Sequence, residues 1–122
     1  MEVKKHTVIV AEDDPIIAWQ IKKLLIPWSN LEQLYFDNAE AATIQLNLQC
    51  PNLIITNLKL AHGWINPDFL QVLRQCDCQV IIMTGLCDIR LQPDLSVLVS
   101  PNFLYKPFNS VQFRECIASL LV

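Results

Sequence analysis

The sequence predicts a doubly wound α/β domain, a five-stranded parallel sheet with strand order 2-1-3-4-5 and helices on both faces. Two patterns predict it. Short β-branched apolar runs alternate with helix-length amphipathic stretches along the 122 residues, which implies right-handed crossovers onto one parallel sheet. The central runs are apolar at every position rather than at every second one, as strands covered by helices on both sides are.

Thr7 to Ala11 forms the first run, and Glu12-Asp13-Asp14-Pro15 follows it directly. Pro15 suits a first helical position with Asp14 as N-cap. Ile17, Ile21, Leu24 and Leu25 then recur at helical spacing until Pro27 stops the pattern. Leu31 to Phe36 reads as a second, weaker strand, and the alanine-rich stretch from Ala39 as a second helix ending before Pro51. Leu53 to Thr56 is the third strand. A loop from Lys59 to Trp64 leads to Asn66-Pro67, a cap and first-turn proline for a third helix that ends near Cys76. Gln79 to Met83 and Asn102 to Tyr105 are the last two strands, and Asn109 with Gln112 resembles a capping box opening a helix whose inner face is Phe113, Cys116, Ile117 and Leu120. Between Thr84 and Asn102, Pro93, Pro101 and a Val-Leu-Val run argue for a fourth crossover helix that is short, displaced or absent.

One domain spanning 1–122 fits this length, with no output domain in the chain. The composition is 52% hydrophobic and 17% charged, yet no apolar window is long enough to cross a membrane, and the Lys-Lys-containing start lacks a signal-peptide core. A cytoplasmic location is expected. The net charge of −3, with its cations scattered, gives no footprint for nucleic acid. Five cysteines without an export signal read as reduced, mostly buried thiols. Cys76-Asp-Cys78 is the only close pair, and it lacks the partners that a metal site needs. Trp19, Trp28 and Trp64 read as packing residues, and Val97, Leu98 and Val99 as core cover with a partner-binding patch as the rival.

Sheets of this kind place their sites at the carboxyl ends of the strands, where the strand order reverses. Those ends carry Glu12 and Asp13, Asn57, Thr84 and Lys106. Two acids can hold Mg²⁺, and a hydroxyl and an ammonium can take phosphoryl oxygens. A nucleophile is missing.

Val8-Ile-Val-Ala-Glu-Asp-Asp-Pro15, Pro51-Asn-Leu-Ile-Ile-Thr-Asn57, Ile81-Ile-Met-Thr84-Gly and Phe103-Leu-Tyr-Lys106-Pro-Phe108 together resemble the receiver domain of two-component response regulators. The resemblance covers essentially the whole chain and implies the flavodoxin-like, CheY-like fold. It implies that Asp13 is a direct Mg²⁺ ligand, Glu12 a water-mediated one and the Lys59 backbone carbonyl the third. It also implies that Thr84 and Lys106 support a phosphoryl group received from a histidine kinase. The acceptor position, an Asp in the family, is Asn57. The stretch from Thr84 to Pro93 further resembles a subset of alphaproteobacterial single-domain receivers, departing from it in lacking an aromatic near Cys87.

A neutral amide has no accessible anion and is a very poor nucleophile. Ordinary phosphotransfer to Asn57 is therefore expected to fail. The loss of one negative charge should weaken the Mg²⁺ site and let Lys106 lean toward Asp13 or Glu12. Thr56 is the nearest other hydroxyl, but strand alternation points it away from Asn57. The leading reading is a signalling module of the two-component phosphorelay type that is not an enzyme. It would act by protein contacts with a histidine kinase or another signalling protein, or as a homodimer through the face running from strand four to the last helix. One rival is an ordinary phosphoreceiver whose acceptor Asp was engineered to Asn. Another is a Mg²⁺-dependent phosphatase-like enzyme, in which only Asp13 or Asp14 would be placed to attack.

Overall fold

A computed structural model describes residues 6–61, 63–85, 95, 98 and 101–121. Strands β1 (His6–Ala11), β2 (Leu31–Phe36), β3 (Leu53–Asn57), β6 (Gln79–Gly85) and β7 (Asn102–Lys106) form a parallel sheet in the order β2-β1-β3-β6-β7. This is the expected 2-1-3-4-5 topology once a small hairpin, β4 (Lys59–Leu60) with β5 (Gly63–Trp64), is set aside. The hairpin corrects the loop expected there. Its strands are two residues each, too short to produce an apolar run, and Gly63 sits at φ 122°, a conformation that favours glycine.

The helices are α1 (Pro15–Leu24), α2 (Ala39–Leu48), α3 (Pro67–Cys76) and α4 (Ser110–Leu120). Their starts follow from side-chain caps. The backbone N–H of Ile16 donates to Asp14 Oδ1, that of Ala41 to Asn38 Oδ1 and that of Phe69 to Asn66 Oδ1. Asn109 and Gln112 form the reciprocal capping box. No helix lies between β6 and β7 among the described residues. The expectation of a degraded helix there falls largely on positions 86–94, outside them, as do Val97 and Val99.

Period-two alternation in the sheet splits the core into two layers. Ile9, Ala11, Ile54, Val80 and Ile82 pack against Ala42 and Leu46 of α2, Phe69, Leu70 and Leu73 of α3, and Leu98. Val8, Val10, Leu53, Ile55, Ile81, Met83 and Leu104 pack against Ile21, Leu24 and Leu25 and against Phe113 and Ile117 of α4. At the amino end of the sheet Asn52 joins three strands. Its backbone N–H donates to the Thr7 carbonyl, its side-chain oxygen accepts from the Thr7 N–H, and its carbonyl accepts from the Gln79 N–H.

Two packing expectations are corrected. Trp19 is 59% exposed, with the Lys23 ammonium 4.0 Å from its ring centroid, whereas Trp28 and Trp64 do pack against the core. Cys50 is exposed rather than buried and is bridged to Cys76, 26 residues away.

Phe113 is fully buried where α4 meets β7, so Phe113→Ala should cost about 3–5 kcal/mol of unfolding free energy. Urea denaturation followed by circular dichroism measures it, and a cost below about 1 kcal/mol would contradict this placement of α4.

Candidate functional site

The site begins where β1 stops. The N–H of Glu12 donates to the Phe36 carbonyl at 2.9 Å, which extends the β1–β2 ladder one residue and holds Glu12 under the rim of the sheet. Glu12 is 5% exposed, while Asp13 beside it is exposed and Asp14 is committed to the α1 cap. Three successive acids thus have three different environments. Asn57, the last residue of β3, is buried beside them because β3 is flanked by β1 and β6.

Asn57 Nδ2 donates to Glu12 Oε2, and the Lys106 ammonium stands 3.6 Å from the same oxygen. The cation therefore leans on Glu12, one of the two acids expected to attract it. Burial pushes the Glu12 carboxyl up to about 7; the nearby Lys106 ammonium pulls it down, and Asp13 adds to the rise. Desolvation outweighs the Lys106 attraction because that cation is itself partly hydrated, its side chain 27% exposed.

Glu12, Asp13, Asn57, Lys59 and Lys106 line one cavity of about 450 Å³, together with Asp14, Ile17, Leu58, Leu60, Ala61 and Met83. Lys59, Leu60 and Ala61 of the hairpin line it; the Ile65 N–H donates to the Leu58 carbonyl to close the hairpin's base, and the Ala61 N–H donates to the Asp37 carbonyl to tie it to the segment after β2. Lys59 is the residue of this segment expected at the site, and the correction is that a hairpin rather than a loop carries it, with Gly63 as the local signal. The Lys59 ammonium lies 5.8 Å above the Trp64 ring centroid.

Thr84 is not brought into the cavity wall. It is buried, its hydroxyl donates to the Gly85 carbonyl at 3.2 Å, and Met83, paired in register with Asn57, lines the cavity instead. Thr56 lies on the opposite face of β3 from Asn57, with its hydroxyl donating to the Asn57 carbonyl at 2.9 Å.

Two buried oxygens of the cluster, Glu12 Oε1 and Asn57 Oδ1, have no hydrogen-bond partner among the described residues. Buried acceptors of this kind are costly unless a donor or a cation meets them. With the exposed Asp13 carboxylate they form an all-oxygen set of the kind a hard divalent cation takes, so the residues fit Mg²⁺. The set is lean. No group of three or more His, Cys, Asp or Glu is placed to hold a metal ion among the described residues, and the amide contributes no charge.

No protein-family model and no curated protein matches the sequence. Solved structures do match. The chain is similar over all of its length and all of the other's to SdrG from Sphingomonas melonis Fr1, at 24% identity and TM-score 0.74. It is similar to the PhyR response regulator receiver domain of Erythrobacter litoralis at 24% identity and TM-score 0.75, over 96% of this chain and 90% of that one. The receiver domain of the Pseudomonas aeruginosa PAO1 sensor histidine kinase PA1611 matches at 14% identity and TM-score 0.78, over 97% and 98% of the two chains, and was solved with magnesium in its active-site cleft. At these identities the shared property is the fold, the flavodoxin-like receiver architecture.

Burial that raises the Glu12 carboxyl makes the folded state favour its protonated form. The sign follows: its stabilising effect is complete below the ordinary value of 4.5 and is lost as pH rises through about 7. In metal-free buffer the stability difference between this chain and Glu12→Gln should shift by on the order of 3 kcal/mol between pH 4.5 and pH 8, against the unsubstituted chain at the higher pH. Urea titrations at both pH values test it, and parallel stability profiles for the two proteins would refute it. Asn57→Asp replaces the donor facing Glu12 with a second carboxylate. It should lower metal-free stability at pH 8 by about 1–3 kcal/mol, and millimolar Mg²⁺ should recover most of that loss; a thermal-melt comparison with and without Mg²⁺ reads both effects.

Proposed function

We propose that this chain is a receiver-like module of two-component phosphorelay signalling, acting through protein contacts and unable to take a phosphoryl group at Asn57. The observation that carries the reading is the meeting of Asn57, Glu12 and Lys106 on one carboxylate oxygen at the carboxyl ends of the central strands. In a phosphoreceiver the strand-end carboxylate attacks phosphorus, the cation neutralises the developing charge and the lysine holds a phosphoryl oxygen. Here the first role has no occupant, because the amide of Asn57 carries no negative charge and its nitrogen lone pair is delocalised into its carbonyl.

The metal would sit against Asp13, Glu12 and the amide oxygen of Asn57, with the Lys59 backbone carbonyl as a further ligand, and would supply charge neutralisation. Its affinity is lowered by the missing carboxylate and by a Glu12 that is protonated in a large share of molecules near neutral pH. Lys106, already engaged by Glu12, is in the position it would take if no phosphoryl group ever arrived.

Contacts with a histidine kinase or another signalling protein, or with a second copy of the chain, fit the face formed by β6, β7 and α4. Phe103 and Tyr105 are 39% and 48% exposed on β7, their ring centroids 6.3 Å apart, beside a groove of about 640 Å³ bordered by Gln112 and Glu115 of α4. Aromatic side chains of this exposure favour interfaces. No described helix is long and apolar enough to cross a membrane, and the cytoplasm suits the proposed partners.

Incubation with a small phosphodonor and Mg²⁺, followed by intact-mass measurement, tests the reading. This chain should gain no phosphoryl group, Asn57→Asp should gain one, and Mg²⁺ should bind the variant roughly tenfold more tightly. A phosphoryl adduct on the unsubstituted chain would overturn the reading. Failure of Asn57→Asp to label would remove the site from phosphoryl chemistry altogether.

A further inference from the structure

We propose that Cys50 and Cys76 are a reversible thiol–disulfide modification site, opened and closed by exchange with low-molecular-weight thiols of the glutathione class. It does not rest on the receiver reading. Cys50 follows the Gln49 cap of α2, and Cys76 is the last residue of α3, so the bridge ties the carboxyl ends of two adjacent helices. Their Cα atoms are 5.3 Å apart, within the span that a disulfide requires. The bridge lies at the amino end of the sheet, beside Asn52, and Glu12 and Asn57 lie at the other end.

Four features favour exchange between these two cysteines over a permanent bridge. Cys50 is exposed, so an attacking thiolate can reach its sulfur. The opened form is also accommodated: Cys76 Sγ lies 3.8 Å from the Leu46 carbonyl oxygen, an acceptor for the thiol that reduction creates. The helices are held together without the bridge by Ala42 and Leu46 against Leu70 and Leu73, so opening it need not unfold the domain. Nor is Cys78 a good competitor, since burial pushes its thiol up to about 11 and leaves little thiolate.

Closure is written with glutathione disulfide as oxidant. The Cys50 thiolate attacks one sulfur of glutathione disulfide, releasing one glutathione thiolate and forming a mixed disulfide. The Cys76 thiolate then attacks the Cys50 sulfur and displaces the second glutathione. The chain loses two protons and two electrons, and both pairs appear in the two glutathione thiols. A dithiol reverses the sequence: one of its thiolates attacks Cys50 Sγ and frees Cys76, and its second thiol resolves the mixed disulfide.

The test uses the full chain in glutathione buffers of increasing oxidised fraction, with thiols trapped by a maleimide under denaturing conditions and then intact-mass and peptide analysis. The expected result is two fewer labels at the oxidised end, mapped to Cys50 and Cys76 and restored by dithiothreitol with the circular dichroism spectrum retained. The oxidised chain should melt several degrees higher than the reduced one, a difference absent in Cys50→Ser. A bridge that persists in reducing buffer while the chain is folded would overturn the proposal. So would a glutathione adduct that stays on Cys50, pairing of Cys76 with Cys78, or the same loss of two labels in Cys50→Ser.

Discussion

The constraint on which the site depends is the burial of one carboxyl group at the end of β1. Glu12 follows four consecutive buried residues, and its backbone is held by the ladder to β2, so its side chain is delivered into the gap between β1 and β3 whatever its charge. A buried carboxylate is tolerable only with a proton, a cation or donors. All three appear around it: a carboxyl pushed up to about 7, the Lys106 ammonium and the Asn57 amide. The amide answers the same constraint, since a carboxylate in its place would face Glu12 with like charge and call for a divalent ion between them.

Most of the scaffold was legible in the sequence because every level agreed. The runs Val8 to Ala11, Leu53 to Ile55 and Val80 to Met83 are apolar at each position and emerge in the three central strands, because strands covered on both faces need that pattern. Asp14, Asn66 and Asn109 stand where a cap must stand, and each accepts the backbone N–H that the unpaired first turn leaves over. The strand ends could then be read off as one cluster, and Glu12, Asp13, Asn57 and Lys106 do meet in one cavity.

What was not legible depended on distances between segments or on patterns too short to register. The hairpin has two-residue strands and contributes only Leu60 as a buried residue from its ladder. An odd number of cysteines gave no pairing, and Cys50 meets Cys76 only because α2 and α3 end side by side at the same edge. Thr84 was grouped with the cluster by its place at a strand end, yet the period-two alternation that puts Met83 beside Asn57 turns the next side chain elsewhere. The exposure of Trp19 was available from helical spacing, since it lies off the stripe of Ile17, Ile21 and Leu24; the bulk of the indole was the misleading cue.

Charge and hydrogen bonding together define the resting state of the site. With Asp at position 57, three carboxylates and one ammonium would leave a negative field that a divalent cation relieves, and in the receiver reading the same carboxylate would be the nucleophile. On that reading, cation and phosphoryl acceptance are therefore coupled through one side chain. With Asn57 in its place, Glu12 accepts from the amide, Lys106 stands beside the same oxygen, and Asp13 faces solvent. The cluster carries one negative charge fewer than it would with Asp at position 57, so less electrostatic work is left for a cation to do there. In the receiver reading, a signal that reaches this domain has to act on its surfaces, on the β7 and α4 face or on the bridged ends of α2 and α3, more than through the strand-end site.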